Sequence, residues 1–176
     1  MFKRLIPCIC LLMLTTSDCF RPPCSIGYEG GHGECIVYFE GQENITIDID
    51  RALELYADNL QQILMAIPMD FTDTAIVRTC ATPDLIRSNL SMLRINFTKE
   101  PFNCADGNTL TKCLGTEWMG AIELSWAAKI SDTALAHELN HWVDELCGVA
   151  IDYPHARDDW WSTEELMNSV FKANGL

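Results

Sequence analysis

Two histidines and a glutamate lie close together near the C-terminal end of the sequence, in the run His137-Glu138-Leu139-Asn140-His141. Residues four apart on a helix lie one above the other on the same face. Two imidazoles placed in this way can bind one Zn²⁺ ion, and a glutamate that directly follows the first of them can take a proton from water at the metal. The residue types and their spacing therefore predict zinc-dependent hydrolysis.

The residues around this motif predict a helix over 131–148. Apolar side chains recur along it at spacings of three and four residues: Leu135, Leu139, Val143 and Leu146. Ser131 or Asp132 can cap the free amides of its first turn, and Gly148 suits the left-handed conformation that commonly ends a helix. A helix with this apolar stripe would present both histidines on one face.

The motif resembles the zinc-binding motif of the zincin metallopeptidases, closely over the five motif residues and more loosely over 120–176. The resemblance implies a peptidase that uses Zn²⁺ as its cofactor to hydrolyse peptide bonds. Metzincins have a glycine and a further histidine at fixed distances after the second motif histidine. Asp144 and Cys147 occupy those positions here, which excludes the metzincin pattern.

A catalytic zinc site needs a third protein ligand in addition to two histidines. In gluzincins this ligand is a glutamate on a second helix, about twenty or more residues past the second histidine. Glu164 and Glu165 lie at that distance, at the start of a helix predicted from Ser162 or Thr163 onwards. Glu165 is preferred, because the residues on its side of the helix are small or apolar and could pack on the motif helix. Glu164 is the alternative.

His155 is another candidate for the third metal ligand. It lies in a loop predicted over 152–159 and could bind the metal or donate a hydrogen bond to the oxyanion of the reaction, as could Tyr153 or Arg157. The resulting assignment has three metal ligands and two catalytic residues. The metal ligands are His137, His141 and Glu165, and the catalytic residues are Glu138 and His155.

A strand predicted over Gly120–Trp126 directly precedes the motif helix. In zincins, an edge strand before the metal-binding helix lines the active-site cleft and pairs with the extended substrate through backbone hydrogen bonds. The resemblance implies that role for this strand. An ordinary position inside the sheet is the alternative.

The rest of the sequence predicts a small sheet and further helices. Strands are predicted over 34–40, 45–49, 74–80 and 92–97. A long helix is predicted over 50–67, a turn or short helix over 83–88, and a long loop over 99–113. The expected fold class is therefore α+β, a small mixed sheet with an edge strand beside the motif helix, backed by further helices as in zincins.

The start of the chain is expected to lie outside the folded domain. A basic start followed by the apolar run Leu5–Leu14 predicts a secretory signal peptide over 1–18. A tether over 19–33 and a zincin-like metallopeptidase domain over 34–176 follow. The protein is thus expected to act outside the cytoplasm.

The cysteine count supports export and raises the question of a lipid anchor. Nine cysteines, two of them in the signal peptide, leave seven, an odd number for an exported chain. If Cys19 carried a lipid, as in bacterial lipoproteins, six would remain for three disulfides; secretion with one free thiol is the alternative. Cys24 with Cys35, and Cys104 with Cys113, are candidate pairs. Either route leads to an oxidising compartment.

The charge of the chain limits its partners. The formal net charge is −13 at pH 7, whereas binding to a phosphate backbone needs a basic face. Nucleic acid is therefore excluded. We expect a monomer that acts on a peptide or protein substrate and contacts a membrane only through a lipid on Cys19. The alternative function is a non-catalytic surface interaction module on a zincin scaffold, with structural zinc.

Overall fold

The computed structural model describes residues 27–38, 45–68, 72–106, 109–149 and 160–176. Within these ranges the chain forms five α-helices, a five-stranded mixed sheet and a two-stranded sheet, which confirms the α+β class. The helices are α1 (Ile45–Ala66), α2 (Thr72–Cys80), α3 (Pro83–Asn89), α4 (Leu135–Leu146) and α5 (Trp160–Ala173). The strands are β1 (Tyr28–Glu29), β2 (Cys35–Val37), β3 (Arg94–Thr98), β4 (Phe102–Asp106), β5 (Thr109–Cys113), β6 (Gly115–Trp118) and β7 (Ala121–Ser125).

The main sheet has the strand order β1-β2-β3-β7-β6. Strands β2, β3 and β7 are parallel, while β1 and β6 run antiparallel to their neighbours at the two edges. Strands β6 and β7 are joined by Met119 and Gly120, whose φ angles are 52° and 80°. Two consecutive positive φ values are typical of a type I′ hairpin turn, whose twist matches that of the strands. The hairpin places β6 at the edge nearest α4.

The long helix α1 forms the centre of the core. Its buried side chains recur at helical spacing: Ile45, Ile49, Ala52, Leu53, Tyr56, Ala57, Leu60, Ile63 and Leu64. They pack against α5, α3 and α2. On the sheet, alternate residues point into this core, Ile95 and Phe97 from β3 and Ile122 and Leu124 from β7. The helices therefore cover one face of the sheet and hold α4 beside its edge.

Two predicted strands are helical. The segment Ile45–Ile49 is the first turn of α1, because Ile45 and Ile49 are buried four residues apart while Ile47 between them is 66% exposed. The run over 74–80 belongs to α2, where Thr74 and Val77 are buried at a spacing of three. In both places packing on the core outweighs the strand preference of β-branched residues.

Two further predictions about the sheet are corrected. The long loop over 99–113 contains the hairpin β4–β5, with Phe102 opposite Cys113. The strand predicted over 120–126 is present as β7, but it lies inside the sheet between β3 and β6. The edge position belongs to β6 instead. The other strands and helices lie close to their predicted positions.

A disulfide joins Cys80, at the end of α2, to Cys147, which follows α4. Cys35 and Cys113 each take part in a disulfide bond as well. Their partners suggested by the sequence are Cys24 and Cys104. Cys24 and the side chain of Cys104 lie outside the described part of the chain, as do the predicted signal peptide and Cys19. Among the described helices, none is both long and apolar enough to cross a membrane.

Candidate functional site

The motif helix α4 begins after a short 3₁₀ turn over Ile130–Asp132. The Thr133 hydroxyl accepts a hydrogen bond from the Leu135 amide at 3.2 Å and donates to the Ile130 carbonyl at 2.6 Å. Ser131, one of the two predicted caps, donates instead to the Leu176 carbonyl at 2.9 Å. The start of the helix is therefore shifted by a few residues. Gly148 has φ +68°, which confirms it as the left-handed residue after the helix.

The two motif histidines lie side by side at the surface of α4. Both are half-buried, and the centroids of the His137 and His141 rings are 5.1 Å apart with the ring planes at 70°. Asn140 lies next to the histidines on the helix and is buried, and its side-chain oxygen accepts a hydrogen bond from the buried Tyr56 hydroxyl at 2.8 Å. This bond joins α4 to α1 beside the histidines.

Helix α5 brings Glu164 to the motif. Its Oε2 lies 2.9 Å from His137 Nδ1, and both side chains are largely shielded from solvent. Glu165, the preferred ligand in the sequence analysis, is exposed. Helix α5 packs through the bulky Met167 and Phe171, which are fully buried, rather than through the smaller residues beside Glu165. Glu164 lies next to that buried stripe, so Glu164 is the carboxylate that contacts His137.

Glu138 lies between α4 and the edge strand. Its side chain is 3% exposed, and it lies so close to Gly115 of β6 that a methyl group on Gly115 would overlap Glu138 Oε1. Burial raises the pKa of Glu138 to about 7; the charge of His137 lowers this pKa, and the carboxylates of Glu117 and Glu164 raise it. Glu138 therefore gains and loses its proton near neutral pH.

A second acidic side chain, Glu117, faces α4 from the edge strand. Its Oε1 accepts a hydrogen bond from the Gly120 amide at 2.7 Å, across the hairpin turn. Burial raises the pKa of Glu117 to about 7, and the nearby Glu145 carboxylate adds to the rise. The sequence analysis missed Gly115 and Glu117. The glycine in Trp118-Met119-Gly120-Ala121, set between two short strand-like runs, is the turn signal that could have revealed β6.

Trp161 was also missed. It precedes Glu164 by one helical turn, and its ring centroid lies 5.7 Å from that of His137, with the planes at 46°. It is 61% exposed, so it forms an open aromatic surface beside the histidines. Neither its sequence neighbours nor its spacing distinguishes it from an ordinary packing residue. Its place next to His137 depends on how α5 docks on α4.

The remaining predicted residue, His155, lies outside the described part of the chain, together with Tyr153 and Arg157. Its suggested roles as ligand or oxyanion donor stay predictions. The described residues hold no group of three or more His, Cys, Asp or Glu side chains already arranged to bind a metal ion.

Zinc binds imidazole nitrogen and carboxylate oxygen, and His137, His141 and Glu164 supply two of the first and one of the second. His137 and Glu164 come from different helices and are in contact. The donor types therefore suit zinc, whereas their arrangement does not form a three-ligand group.

Comparisons with protein-family models, with curated proteins and with solved structures return no match for this chain.

Proposed function

We propose that the protein is a zinc-dependent peptidase of gluzincin-like type, either secreted or anchored through a lipid on Cys19. The observation that carries the proposal is the contact between Glu164 on α5 and His137 on α4. A helix with two histidines four apart is also compatible with a plain surface helix. A partly buried carboxylate delivered to those histidines from a second helix supports a three-ligand site.

In this proposal His137, His141 and Glu164 hold the metal. Zinc, when bound, would supply a Lewis acid that polarises the scissile carbonyl and lowers the pKa of water. Glu138 accepts a proton as general base and returns it to the leaving amine. Its position supports this role, because it directly follows His137 and its carboxyl group is held against the edge strand instead of being free in solvent.

The edge strand β6 offers a binding surface for an extended substrate. On its outer side, β6 has no further strand among the described residues, so an incoming peptide can use its backbone N–H and C=O groups. Trp161 forms an exposed aromatic surface beside His137. The peptide would therefore lie between β6 and the start of α5, across the motif histidines.

The third-ligand assignment is tested by zinc affinity, measured by competition with a chromophoric chelator. Glu164→Ala should lower the affinity by more than about a hundredfold, because loss of a ligand costs more than the loss of a carboxylate that only orients a ligand histidine, which costs about 10–100-fold. Glu165→Ala is the matched control and should bind zinc as the parent does, because its side chain is exposed. A loss confined to Glu165→Ala or to His155→Ala would move the third ligand to that residue. A parent protein without stoichiometric zinc would contradict the proposed function.

A further inference from the structure

A glycine on the edge strand lies directly against the proposed general base. A methyl group on Gly115 would overlap Glu138 Oε1, would lie 2.9 Å from Glu138 Cγ and would lie 2.7 Å from the Cβ of Ala134. Carbon atoms in proteins pack at about 3.5–4.0 Å. No residue with a side chain fits at this point of β6 unless Glu138 or the strand moves.

Position 115 needs a glycine because a side chain would not fit there, and not because of its backbone conformation. Gly115 does not have a positive φ, whereas Gly120 and Gly148 have φ values of +80° and +68°. An alanine could therefore adopt the backbone of Gly115 at little conformational cost. An alanine there would have to displace both the carboxyl group of Glu138 and the methyl group of Ala134, at the start of α4.

We propose that Gly115 is a positioning residue for Glu138. The missing side chain leaves a recess in β6, and the Glu138 carboxyl group occupies it. This inference rests on the proposed peptidase function for its catalytic consequence, but the recess itself is a property of the folded protein. The recess connects β6, which would bind the peptide backbone, to Glu138, which would move the proton.

The recess also sets where along β6 the bond to be cleaved would lie. Side chains directly opposite each other in an antiparallel pair point to the same face. In a peptide paired antiparallel with β6, the residue opposite Gly115 lies next to Glu138. The residue opposite Glu117 lies two positions nearer the peptide's N-terminus, on the same face. Cleavage is therefore expected at the Gly115 end of the strand.

Gly115→Ala tests the proposal, with Thr116→Ala as the matched control. Thr116 is exposed and its side chain points to the opposite face of β6. On a mixture of fluorescence-quenched peptides of random sequence, Gly115→Ala should lower kcat about a hundredfold, because misplacement of a catalytic group by about 1 Å costs that much. KM and zinc affinity should stay within about twofold of the parent. Thr116→Ala should match the parent in all three. An unchanged kcat in Gly115→Ala, or a loss seen only in KM, would overturn the proposal.

A double-mutant cycle separates positioning from a general disturbance of the fold. Ala134→Gly removes the methyl group that an alanine at 115 would also meet, and it leaves the contact with Glu138 in place. Adding Gly115→Ala to Ala134→Gly should therefore still cost about a hundredfold in activity. A loss that shrinks below about tenfold in this background would show that the alanine acts through Ala134 and would overturn the proposal.

A crystal structure of metal-free Gly115→Ala decides the question without any activity. The Glu138 carboxyl group should be displaced from its place in the parent by about 1 Å or more, relative to His137 and His141. An unmoved Glu138 would overturn the proposal. If the parent cleaved no peptide, the proposed function would fail, while this structural comparison would still decide whether Gly115 positions Glu138.

Discussion

Glu34 is a fully buried glutamate that shares its site with a second carboxyl group. It has 0% exposure, and one of its oxygens accepts a hydrogen bond from the His32 amide at 3.0 Å. Asp50, which accepts from the Gly31 amide at 2.8 Å, lies beside it. Burial raises the pKa of Glu34 to about 7, and the neighbouring Asp50 carboxyl group adds to the rise. Glu34 is therefore protonated in the folded protein below neutral pH.

Stability should therefore depend on pH through Glu34. The unfolded chain loses this proton above about pH 4.5, whereas the folded protein keeps it to about pH 7. The stability that Glu34 contributes is full below pH 4.5, falls between pH 4.5 and 7, and stays low above that. Glu34→Gln should be more stable than the parent at pH 8, by an amount on the order of 3 kcal/mol. Urea unfolding from pH 4.5 to 8 measures the difference.

The control for this prediction is Glu100→Gln, because Glu100 is exposed. It should keep the pH dependence of the parent. Glu117 and Glu138 also have raised pKa values, so only the difference between the parent and Glu34→Gln curves belongs to Glu34. Parallel curves for these two proteins would contradict the raised pKa of Glu34.

At the scale of elements, the long periodic segments were predictable, whereas two of the short β-branched segments were assigned to strands and are helical. The helix around the motif and the long helix α1 repeat their apolar residues over several turns, which identifies them without knowledge of their surroundings. The run Ile45–Ile49 alternates like a strand yet also places Ile45 and Ile49 four apart, so its pattern fits either structure. Packing against the core decides such cases, and a single sequence does not contain that information.

The site was predictable to the same extent. The histidines and Glu138 follow from spacing within one helix, so the sequence was sufficient to place them together. The choice between Glu164 and Glu165 depended on which face of α5 packs inward, and this face is fixed by the buried Met167 and Phe171. Gly115 lies at the site because of the β6–β7 hairpin, which was not predicted from the sequence.

The β6–β7 hairpin contains a residue with a strained backbone, and a substitution there should raise the stability of the protein. Met119 has φ 52°, a left-handed conformation that costs a side-chain-bearing residue free energy. Asparagine tolerates this conformation, and Asn-Gly is the preferred type I′ turn. Met119→Asn should raise the free energy of unfolding by about 0.5–1 kcal/mol, measured by urea denaturation. Met119→Ala removes the same exposed side chain without relieving the backbone, and an equal gain there would contradict the explanation.

At the scale of the whole molecule, one covalent link spans the chain between α2 and α4. The Cys80–Cys147 disulfide has a sequence separation of 67 residues and ties the end of the motif helix to the helices that surround α1. Such a bond is typical of proteins in oxidising compartments. It ties down the region that carries the candidate site, while export of the chain stays a prediction.

Loss of this disulfide should lower stability strongly. In the chain-entropy model, a closed loop of this length stabilises the folded state by about 4 kcal/mol, because it restricts the unfolded chain. The double variant Cys80→Ser/Cys147→Ser should show this loss in urea unfolding under non-reducing conditions. The single variant Cys80→Ser should lose a similar amount. A loss below about 1 kcal/mol in the double variant would mean that the folded regions hold together without the bond.

In the proposed mechanism, Glu138 moves a proton at a zinc site held by the motif histidines. The most direct test compares the zinc-loaded parent with Glu138→Gln on the random-sequence peptide mixture, with zinc content measured in both. We expect equal zinc content, cleavage by the parent, and at least about a hundredfold slower cleavage by the variant. Zinc binding by a parent that cleaves no peptide would favour an interaction module. Cleavage by Glu138→Gln at the rate of the parent would contradict the mechanism.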